Sequence, residues 1–206
     1  MNQIKKYVSC ILFFTGCFFI SANAQNWDIN TLKNINPENP NSSVWKGFSH
    51  SVYPVAIASP VAMLATGLIK KDKNLENKGW EMVGSLVINT AITQGLKIVI
   101  NRDRPFETYP DEVFPYKTDN SASFPSGHTS TAFATATTLT LEFKKWYVAV
   151  PAYAWAAGVG YSRMYLGVHY PSDVLAGAVI GAGSAWLMYK ANKWLFKKKP
   201  NTATSF

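Results

Sequence analysis

Three short motifs place side chains suited to phosphate chemistry along this chain. They are Lys97 with Arg104-Pro105, then Pro125-Ser126-Gly127-His128, and finally Ser162-Arg163 with His169 and Asp173. Together they supply three fixed cations, two histidines and one carboxylate that can hold a histidine. A guanidinium group can donate two parallel hydrogen bonds to the oxygens of one phosphoryl group. A histidine oriented by a carboxylate can act as a nucleophile. One such fragment is weak evidence, but all three in order, each at the edge of a helix, are far beyond chance.

These motifs resemble those of the type 2 phosphatidic acid phosphatase (PAP2) superfamily, which also includes bacterial acid phosphatases and vanadium haloperoxidases. The resemblance covers about residues 97–187, and every expected catalytic position is filled. The segment His169-Tyr-Pro-Ser-Asp-Val-Leu-Ala-Gly is more similar to the membrane lipid phosphatases than to the soluble acid phosphatases. The resemblance therefore implies a metal-independent phosphoric ester hydrolase acting on a phosphomonoester or pyrophosphate of a membrane lipid.

The residue types and the resemblance together suggest a role for each motif position. His169 is expected to attack phosphorus and form a phosphohistidine, while Asp173 accepts the proton on its Nδ1 and leaves Nε2 free. By resemblance, His128 is the general acid that protonates the leaving oxygen. The expected phosphate ligands are the three cations and the start of the helix that carries His128, namely Lys97, Arg104, Arg163, Ser126 and Gly127.

Each motif also predicts local structure that has an ordinary explanation without catalysis. Lys97 and Arg104 are spaced to share one face of a helix that Pro105 ends, and cations are favoured at helix C-termini in any case. Ser126 and Ser172 are expected to cap the helices that follow them. The motifs therefore carry functional weight only as a set.

Residues near the motifs receive weaker interpretations. Arg102 and Asp103 are interpreted as loop charges that can pair with each other, and His50 as an interfacial packing residue. The candidates to line the site are Tyr161, Tyr165 and Tyr170. Loop 101–124 is a candidate lid whose aromatic residues could contact lipid.

The hydrophobic pattern predicts an all-α protein, because no segment of any length alternates as a strand would. The polar residues 26–43 are expected to form an irregular arm. Pro54 and Pro60 are expected to interrupt the first helix. The five predicted main helices run over about residues 45–69, 75–100, 126–143, 146–161 and 172–196.

Residues 1–24 are typical of a secretory signal peptide. A basic region at the start is followed by an apolar stretch and by Ala22-Asn23-Ala24, which matches an A-x-A cleavage site. The phosphatase domain would then occupy residues 25–206. The alternatives are an uncleaved signal, which would be a sixth main helix, and a lipoprotein anchored at Cys17.

Composition limits the chemistry that the chain can carry. Both cysteines, Cys10 and Cys17, lie within the predicted signal peptide, so the mature chain would have no disulfide and no cysteine nucleophile. No acidic metal cluster is visible, so we predict no metal and no cofactor. The net charge of +8 falls to +6 if Lys5 and Lys6 are removed with the signal peptide. Such a balance suits anionic substrates or membrane surfaces, and no basic–aromatic array suggests nucleic acid.

The charge pattern predicts helices threaded through a membrane. Lysine clusters lie in alternate connections between the helices, which would place them on one side and the motif residues on the other. Four tryptophans near helix ends agree with an aromatic belt, namely Trp45, Trp80, Trp146 and Trp194. The predicted location is the bacterial inner membrane, with the site facing the periplasm. The mean hydropathy of −0.03 and the threonine-rich third helix leave a soluble helical bundle as the alternative.

The leading hypothesis is a lipid phosphate phosphatase, and three other functions compete with it. The second is a soluble periplasmic acid phosphatase of broad specificity. The third is a vanadium haloperoxidase, although those enzymes are generally much longer. The fourth is a non-catalytic lipid-binding or structural membrane protein, against which the complete set of catalytic residue types counts. Phosphatidylglycerol phosphate, phosphatidic acid, polyprenyl pyrophosphate and lipid A phosphates all fit the leading hypothesis, and the oligomeric state stays open.

Overall fold

The computed structural model describes residues 27–195 and is helical over that range, which confirms the predicted fold class. The predicted signal peptide and both cysteines lie outside the described residues. The first described helix, α1, covers residues 27–35. The others are α2 (Ser43–Lys70), α3 (Lys73–Ile100), α4 (Pro105–Thr108), α5 (Gly127–Phe143), α6 (Trp146–Tyr165) and α7 (Pro171–Leu195). Five of these helices are long, as the sequence predicts.

The ends of the long helices follow from the local sequence. Asp72 caps α3 because its carboxylate accepts backbone N–H groups of the first turn. Ser126 caps α5 in the same way, which confirms that prediction. Residues in the left-handed conformation end α2, α3 and α5, at Lys71, Asn101 and Lys144 respectively.

Three predictions around the first motif and the last helix are wrong. Because α3 ends at Ile100, Arg104 lies in a loop and shares no helical face with Lys97, and Pro105 begins α4 instead of ending α3. Proline at the first helical position is favourable, since its missing N–H would have no intrahelical partner there. For the same reason α7 starts at Pro171, and Ser172 lies in its first turn instead of capping it.

The N-terminal arm and the first long helix also differ from prediction. Residues 27–35 are helical because Ile29 and Leu32 bury one face of α1 against Val113 and Tyr170. Two prolines, Pro54 and Pro60, lie inside α2 without interrupting it. Neighbouring helices in a bundle can compensate the backbone groups that such prolines leave free.

Helix α5 lies at the centre of the bundle, because it packs against α2, α3, α6 and α7. Four of its six threonines are buried, and their hydroxyl groups have hydrogen-bond partners within the bundle. Thr135 donates to the carbonyl of Thr131 at 2.9 Å, and Thr138 donates to the carbonyl of Ala134 at 2.9 Å. Thr137 pairs with the Tyr153 hydroxyl at 3.0 Å. A threonine-rich helix is therefore stable in the interior.

Three of the described helices, α2, α3 and α7, are long and apolar enough to cross a membrane. Their outward-facing positions carry large apolar side chains, including Ile57, Val61, Val87, Ile98, Val99 and Val179. A continuous exposed apolar surface of this kind suits hydrocarbon better than water. Consecutive long helices alternate in direction, so the lysine-rich turns lie at one end and the three motifs at the other.

Glycines allow α7 to approach α5 closely. A methyl group at Gly181 would overlap the Ser130 carbonyl oxygen and lie 2.9 Å from the Ala134 nitrogen. At Gly177 it would lie 2.7 Å from the Ser126 carbonyl oxygen. Both contacts involve α5 backbone, which cannot move aside as a flexible side chain can.

We predict that Gly181→Ala lowers the stability of the bundle by about 1–3 kcal/mol, the usual cost of overpacking. The matched control is Gly183→Ala on the same helix, where a methyl group meets nothing within 4 Å. That substitution should leave the melting temperature unchanged or raise it, since alanine is the better helix former. Thermal unfolding in detergent measures both, and equal melting temperatures would contradict the packing assignment.

Candidate active site

A cavity of about 430 Å³ opens at the end of the bundle where the three motifs meet. It is lined by α2, loop 101–124, α5, the end of α6 and the turn before α7. Its lining residues are Ser49, His50, Tyr116, Lys117, Thr118, Asp119, His128, Arg163, Leu166 and Val168. The cavity therefore contains a cation and a histidine of two different motifs.

Arg163 projects from the last turn of α6 into the cavity. One of its Nη atoms donates to the Ser49 hydroxyl at 2.5 Å. Its Nε is buried and has no hydrogen-bond partner among the described residues. A buried donor without a partner costs free energy unless a ligand satisfies it. Arg163 therefore lines the cavity with a guanidinium whose buried Nε still has a hydrogen bond to donate.

His128 lies in the first turn of α5, where backbone N–H groups have no intrahelical partner. The edge of its ring meets the ring of Tyr53 from α2, with centroids 5.0 Å apart. Beside it, a methyl group at Gly127 would meet only Thr93, at 4.0 Å. Gly127 therefore leaves space beside the first turn of α5, which an anion needs in order to approach the backbone there.

His169 follows the lining residue Val168 in the turn before α7, and Asp173 lies in the first turn of α7. Both are buried, with exposed fractions of 2% and 0%. The Asp173 Oδ2 lies 3.5 Å from the His169 Nδ1, which is longer than an ordinary hydrogen bond. The same oxygen accepts the backbone N–H of Tyr170 at 2.9 Å and the Ser123 hydroxyl. The carboxylate thus faces the imidazole from the side predicted by sequence, without a short hydrogen bond between them.

Burial keeps the His169 imidazole neutral. It is the largest influence and lowers the pKa of His169 to about 4, although neighbouring Asp173 acts to raise it. The positive charges of Arg163 and Arg104 lower this pKa further. A neutral imidazole with one ring nitrogen facing a carboxylate is the form that can attack an electrophile.

Lys97 and Arg104 organise the loop that lines the cavity. Arg104 is 2% exposed, and its guanidinium donates to the carbonyls of Ser121 and Val168 at 2.8 and 3.0 Å. It also donates to the Asp119 carboxylate at 2.8 Å. Lys97 donates to the Ala122 carbonyl. Neither cation lines the cavity itself, and Asp119 lies between Arg104 and the open space.

The Asp119 carboxylate is half exposed. Although partial burial acts to raise the pKa of Asp119, the Ser121 backbone N–H and the charge of Arg104 hold it below its ordinary value. Asp119 therefore presents a negative charge at the position where Arg104 would otherwise meet an anion in the cavity.

The structure corrects the interpretation of Arg102 and Asp103. Arg102 does not pair with Asp103 but donates to Asp28 of α1 at 2.9 Å and to Asp173 at 2.8 Å. Sequence reasoning missed this contact because Asp28 lies about seventy residues away in a segment expected to be irregular. Its only local signal was a second arginine two residues before Arg104.

The aromatic residues also differ from expectation. Tyr161 and Tyr165 pack against Trp45, with ring centroids 4.5 and 6.1 Å apart. The Tyr170 ring lies under the Arg102 guanidinium. None of these three tyrosines lines the cavity, whereas Tyr116 from the loop does. His50, interpreted as a packing residue, is exposed and also lines it.

A known protein family matches the part of the chain that contains this site. Residues 78–197, more than half of the chain, match the model of the PAP2 superfamily. The chain belongs to the PAP2 superfamily. The resemblance inferred from the three motifs is thereby confirmed.

Several PAP2 relatives carry names of lipid phosphatases. A "Lipid A 1-phosphatase" of Rhizobium etli is 30% identical over 171 residues, which cover 75% of this chain and 73% of that protein. An "Undecaprenyl-diphosphatase" of Sulfolobus acidocaldarius is 36% identical over 128 residues, which cover 59% of each chain. Three curated relatives are matched over only 29%, 59% and 41% of their own length.

The fold also matches a solved PAP2 structure. It is described as the first transmembrane PAP2 type phosphatidylglycerolphosphate phosphatase, from Bacillus subtilis. The similarity has a TM-score of 0.67 at 26% identity and covers 93% of this chain and 98% of that one. Together with the three apolar helices, this likeness marks the present chain as a membrane protein.

We predict that His169 makes the folded state less stable as the pH falls. The unfolded chain takes up a proton at about pH 6.5, whereas the folded chain does so only at about pH 4. Between these values the unfolded state binds more protons, so stability is lost on acidification. Unfolding temperatures of the wild type and His169→Gln, measured across this window, should converge towards low pH. Parallel curves would contradict the buried neutral imidazole.

Proposed function

We propose that this chain is a phosphatase that removes a terminal phosphate from a membrane lipid through a covalent phosphohistidine on His169. The observation that carries this proposal is the meeting of His128 and Arg163 at one cavity, with His169 next to the lining residue Val168 and the buried Asp173 facing His169. Family membership supports the reaction class. Relatives named for lipid A and undecaprenyl diphosphate support a lipid substrate.

Binding of the phosphate rests first on Arg163 and the start of α5. The unpartnered Nε of Arg163 and the free backbone N–H groups after Ser126 can bind its oxygens. Arg104 joins them when the phosphate dianion replaces Asp119, whose exposed carboxylate can turn towards solvent. Lys97 adds positive charge from behind the loop.

The reaction then follows from the two histidines. The His169 Nε2 attacks phosphorus while the Asp173 carboxylate stabilises the positive charge that develops on the ring. The bond from phosphorus to the lipid oxygen breaks, and His128 donates a proton to that oxygen. In the second step His128 takes a proton from water, which attacks the phosphohistidine and releases phosphate and neutral His169.

The cationic side chains offset the charge on the equatorial phosphate oxygens in the transition state. This is the role that Mg²⁺ has in many phosphoryl-transfer enzymes. Residues 27–195 contain no group of three histidine, cysteine or acidic side chains arranged to hold a metal ion. We therefore propose that the reaction needs no metal.

A substrate panel tests the proposal. Purified protein in detergent should release phosphate from phosphatidylglycerol phosphate, phosphatidic acid, a polyprenyl pyrophosphate or a lipid A phosphate, and the rate of release identifies the substrate. Activity should persist in EDTA and be blocked by vanadate, which adopts the five-coordinate geometry of the transition state. His169→Ala should remove all turnover. Substantial activity in that variant, or loss in EDTA with rescue by Mg²⁺, would refute the mechanism.

The same panel tests the role of His128 when an aryl phosphate is added. An aryl oxide leaves readily without a proton, whereas an alkoxide does not. His128→Ala should therefore slow hydrolysis of the alkyl phosphates far more than that of the aryl phosphate. Equal losses would show that His128 binds the phosphate instead of protonating the leaving group.

We further propose that the cavity faces the periplasm from the bacterial inner membrane. The support is the asymmetry of charge along the bundle. The turns opposite the cavity carry most of the described lysines, including Lys70, Lys71, Lys73, Lys78, Lys144, Lys145, Lys190 and Lys193. Such turns stay on the cytoplasmic side. The apolar outer surfaces of α2, α3 and α7 disfavour the soluble acid phosphatase as the alternative.

Cysteine labelling tests this topology in a protein with Cys10→Ser and Cys17→Ser. Asn120 lies in the cavity loop and Asn74 at the opposite end, and both are exposed. In cells with a permeabilised outer membrane, Asn120→Cys should react with an impermeant thiol reagent. Asn74→Cys should react only after the inner membrane is broken. Immediate labelling of both, in a protein that stays in the supernatant without detergent, would support the soluble alternative.

A further inference from the structure

We infer that Arg102 and Asp28 are positioning residues that hold the Asp173 carboxylate in the orientation in which it faces His169. This inference rests on the proposed function, because it concerns how the nucleophile of that reaction is oriented. Neither residue belongs to the three motifs, and one of them comes from α1, at the far end of the sequence.

The Arg102 guanidinium bridges two buried carboxylates. One Nη donates to the Asp173 Oδ1 at 2.8 Å and to the Ser172 hydroxyl at 2.7 Å. The other Nη donates to the Asp28 Oδ2 at 2.9 Å. The Tyr170 ring lies below the guanidinium, 3.9 Å from centroid to Cζ. Two ion pairs and one stacked ring leave this side chain a single arrangement.

Asp28 is itself firmly held. It is 2% exposed and accepts the backbone N–H of Ser172 at 2.8 Å as well as the Ser172 hydroxyl. Helix α1 carries it into place because Leu32 is fully buried beneath the loop. Asn36, just after α1, donates to the carbonyls of Phe114 and Tyr165 at 2.9 Å. The N-terminal segment therefore anchors the start of α7 and the arginine beside it.

The two oxygens of Asp173 have separate partners. Oδ2 faces His169 and accepts from Tyr170 and Ser123. Oδ1 accepts only the side chain of Arg102 among the described hydrogen bonds. Without Arg102, a fully buried anionic oxygen would lose its charged donor, and the carboxylate could rotate to find another. Rotation would move Oδ2 away from the imidazole.

Arg102 acts from outside the catalytic cavity. It does not line the cavity that contains His128 and Arg163, and instead borders a second space of about 330 Å³ together with Tyr109 and Tyr170. Arg102 is therefore not among the residues that surround a phosphate bound between His128 and Arg163. Its effect on the reaction must pass through Asp173, which separates it from a phosphate ligand such as Arg163.

Steady-state kinetics on the full chain in detergent test the inference. Arg102→Gln and Asp28→Asn should lower kcat by about 10- to 100-fold, as outer-shell partners of functional histidines do. KM should stay unchanged, because the phosphate ligands are untouched. Arg102→Lys, which keeps the charge but reaches one carboxylate at a time, should recover part of the loss.

Lys33→Met is the matched control. Lys33 also ties α1 to loop 101–124, through a half-exposed ion pair with Glu112 that has no contact with Asp173. This variant should retain wild-type kcat. An equal loss in Lys33→Met and Asp28→Asn would show that α1 matters only for general stability, and it would overturn the inference.

A double-mutant cycle locates the effect on Asp173. If Arg102 acts through this carboxylate, Arg102→Gln should cause little further loss in an Asp173→Asn protein. The same loss in both backgrounds would overturn the inference. Should Arg102→Gln fail to fold, Asp28→Asn in the same two backgrounds decides the question. An inactive wild type would refute the proposed function, whereas an active wild type with unaffected variants would refute only the positioning role.

Discussion

The buried Asp173 carboxylate needs charged and hydrogen-bonded partners, and residues from several parts of the chain at this end of the bundle supply them. An ionised carboxylate is costly to bury unless charged and hydrogen-bonded partners surround it. Its partners come from separate parts of the chain: Arg102 after α3, Ser123 before α5, and Tyr170 just before α7. The backbone N–H of Ser126 also donates to the Asp173 carbonyl at 3.1 Å. One buried anion thus draws together the connections that carry all three motifs.

The helical bundle makes this convergence possible because of its alternating directions. The C-terminal ends of α3 and α6, where cations are favoured, meet the N-terminal starts of α5 and α7, whose free N–H groups can bind anions. Helix α5 lies at the centre of the bundle, and glycines of α7 allow the backbones of α5 and α7 to approach closely. This packing fixes the start of α5 next to the start of α7. The chemistry is therefore built on helix ends held by a packed interior, and the outer faces of the bundle remain free to contact lipid.

Loop 101–124 limits the electrostatic repulsion between Lys97 and Arg104, because its carbonyl groups and the Asp119 carboxylate accept hydrogen bonds from them. Arg104 and Lys97 donate to carbonyls of residues 121 and 122, and Asp119 supplies a negative charge beside Arg104. A carboxylate therefore lies where the proposed reaction places a phosphate dianion. In the proposed reaction, exchange of one anion for the other needs movement of the half-exposed Asp119 side chain.

Several features of this protein were determined by the sequence alone. The hydrophobic segments predict five long helices, and the structure places their ends within a few residues of the expected positions. The three motifs predict the family, because phosphate chemistry requires particular residue types at particular spacings. Ser126 as the cap of α5 also follows from local preference. These features depend on short stretches of chain, so propensity and spacing are sufficient to predict them.

Tertiary structure alone decided which residues surround the Asp173 carboxylate and which residues pack against loop 101–124. Helix α1 was missed because its stability comes from packing Ile29 and Leu32 against distant residues, and the polar composition of the segment concealed that face. Arg102 looked like a loop charge because its partners, Asp28 and Asp173, lie about seventy residues away on either side. Nothing local predicts which of two neighbouring arginines turns towards a buried acid. That choice is made by the summed contacts of elements that meet only after the chain has folded.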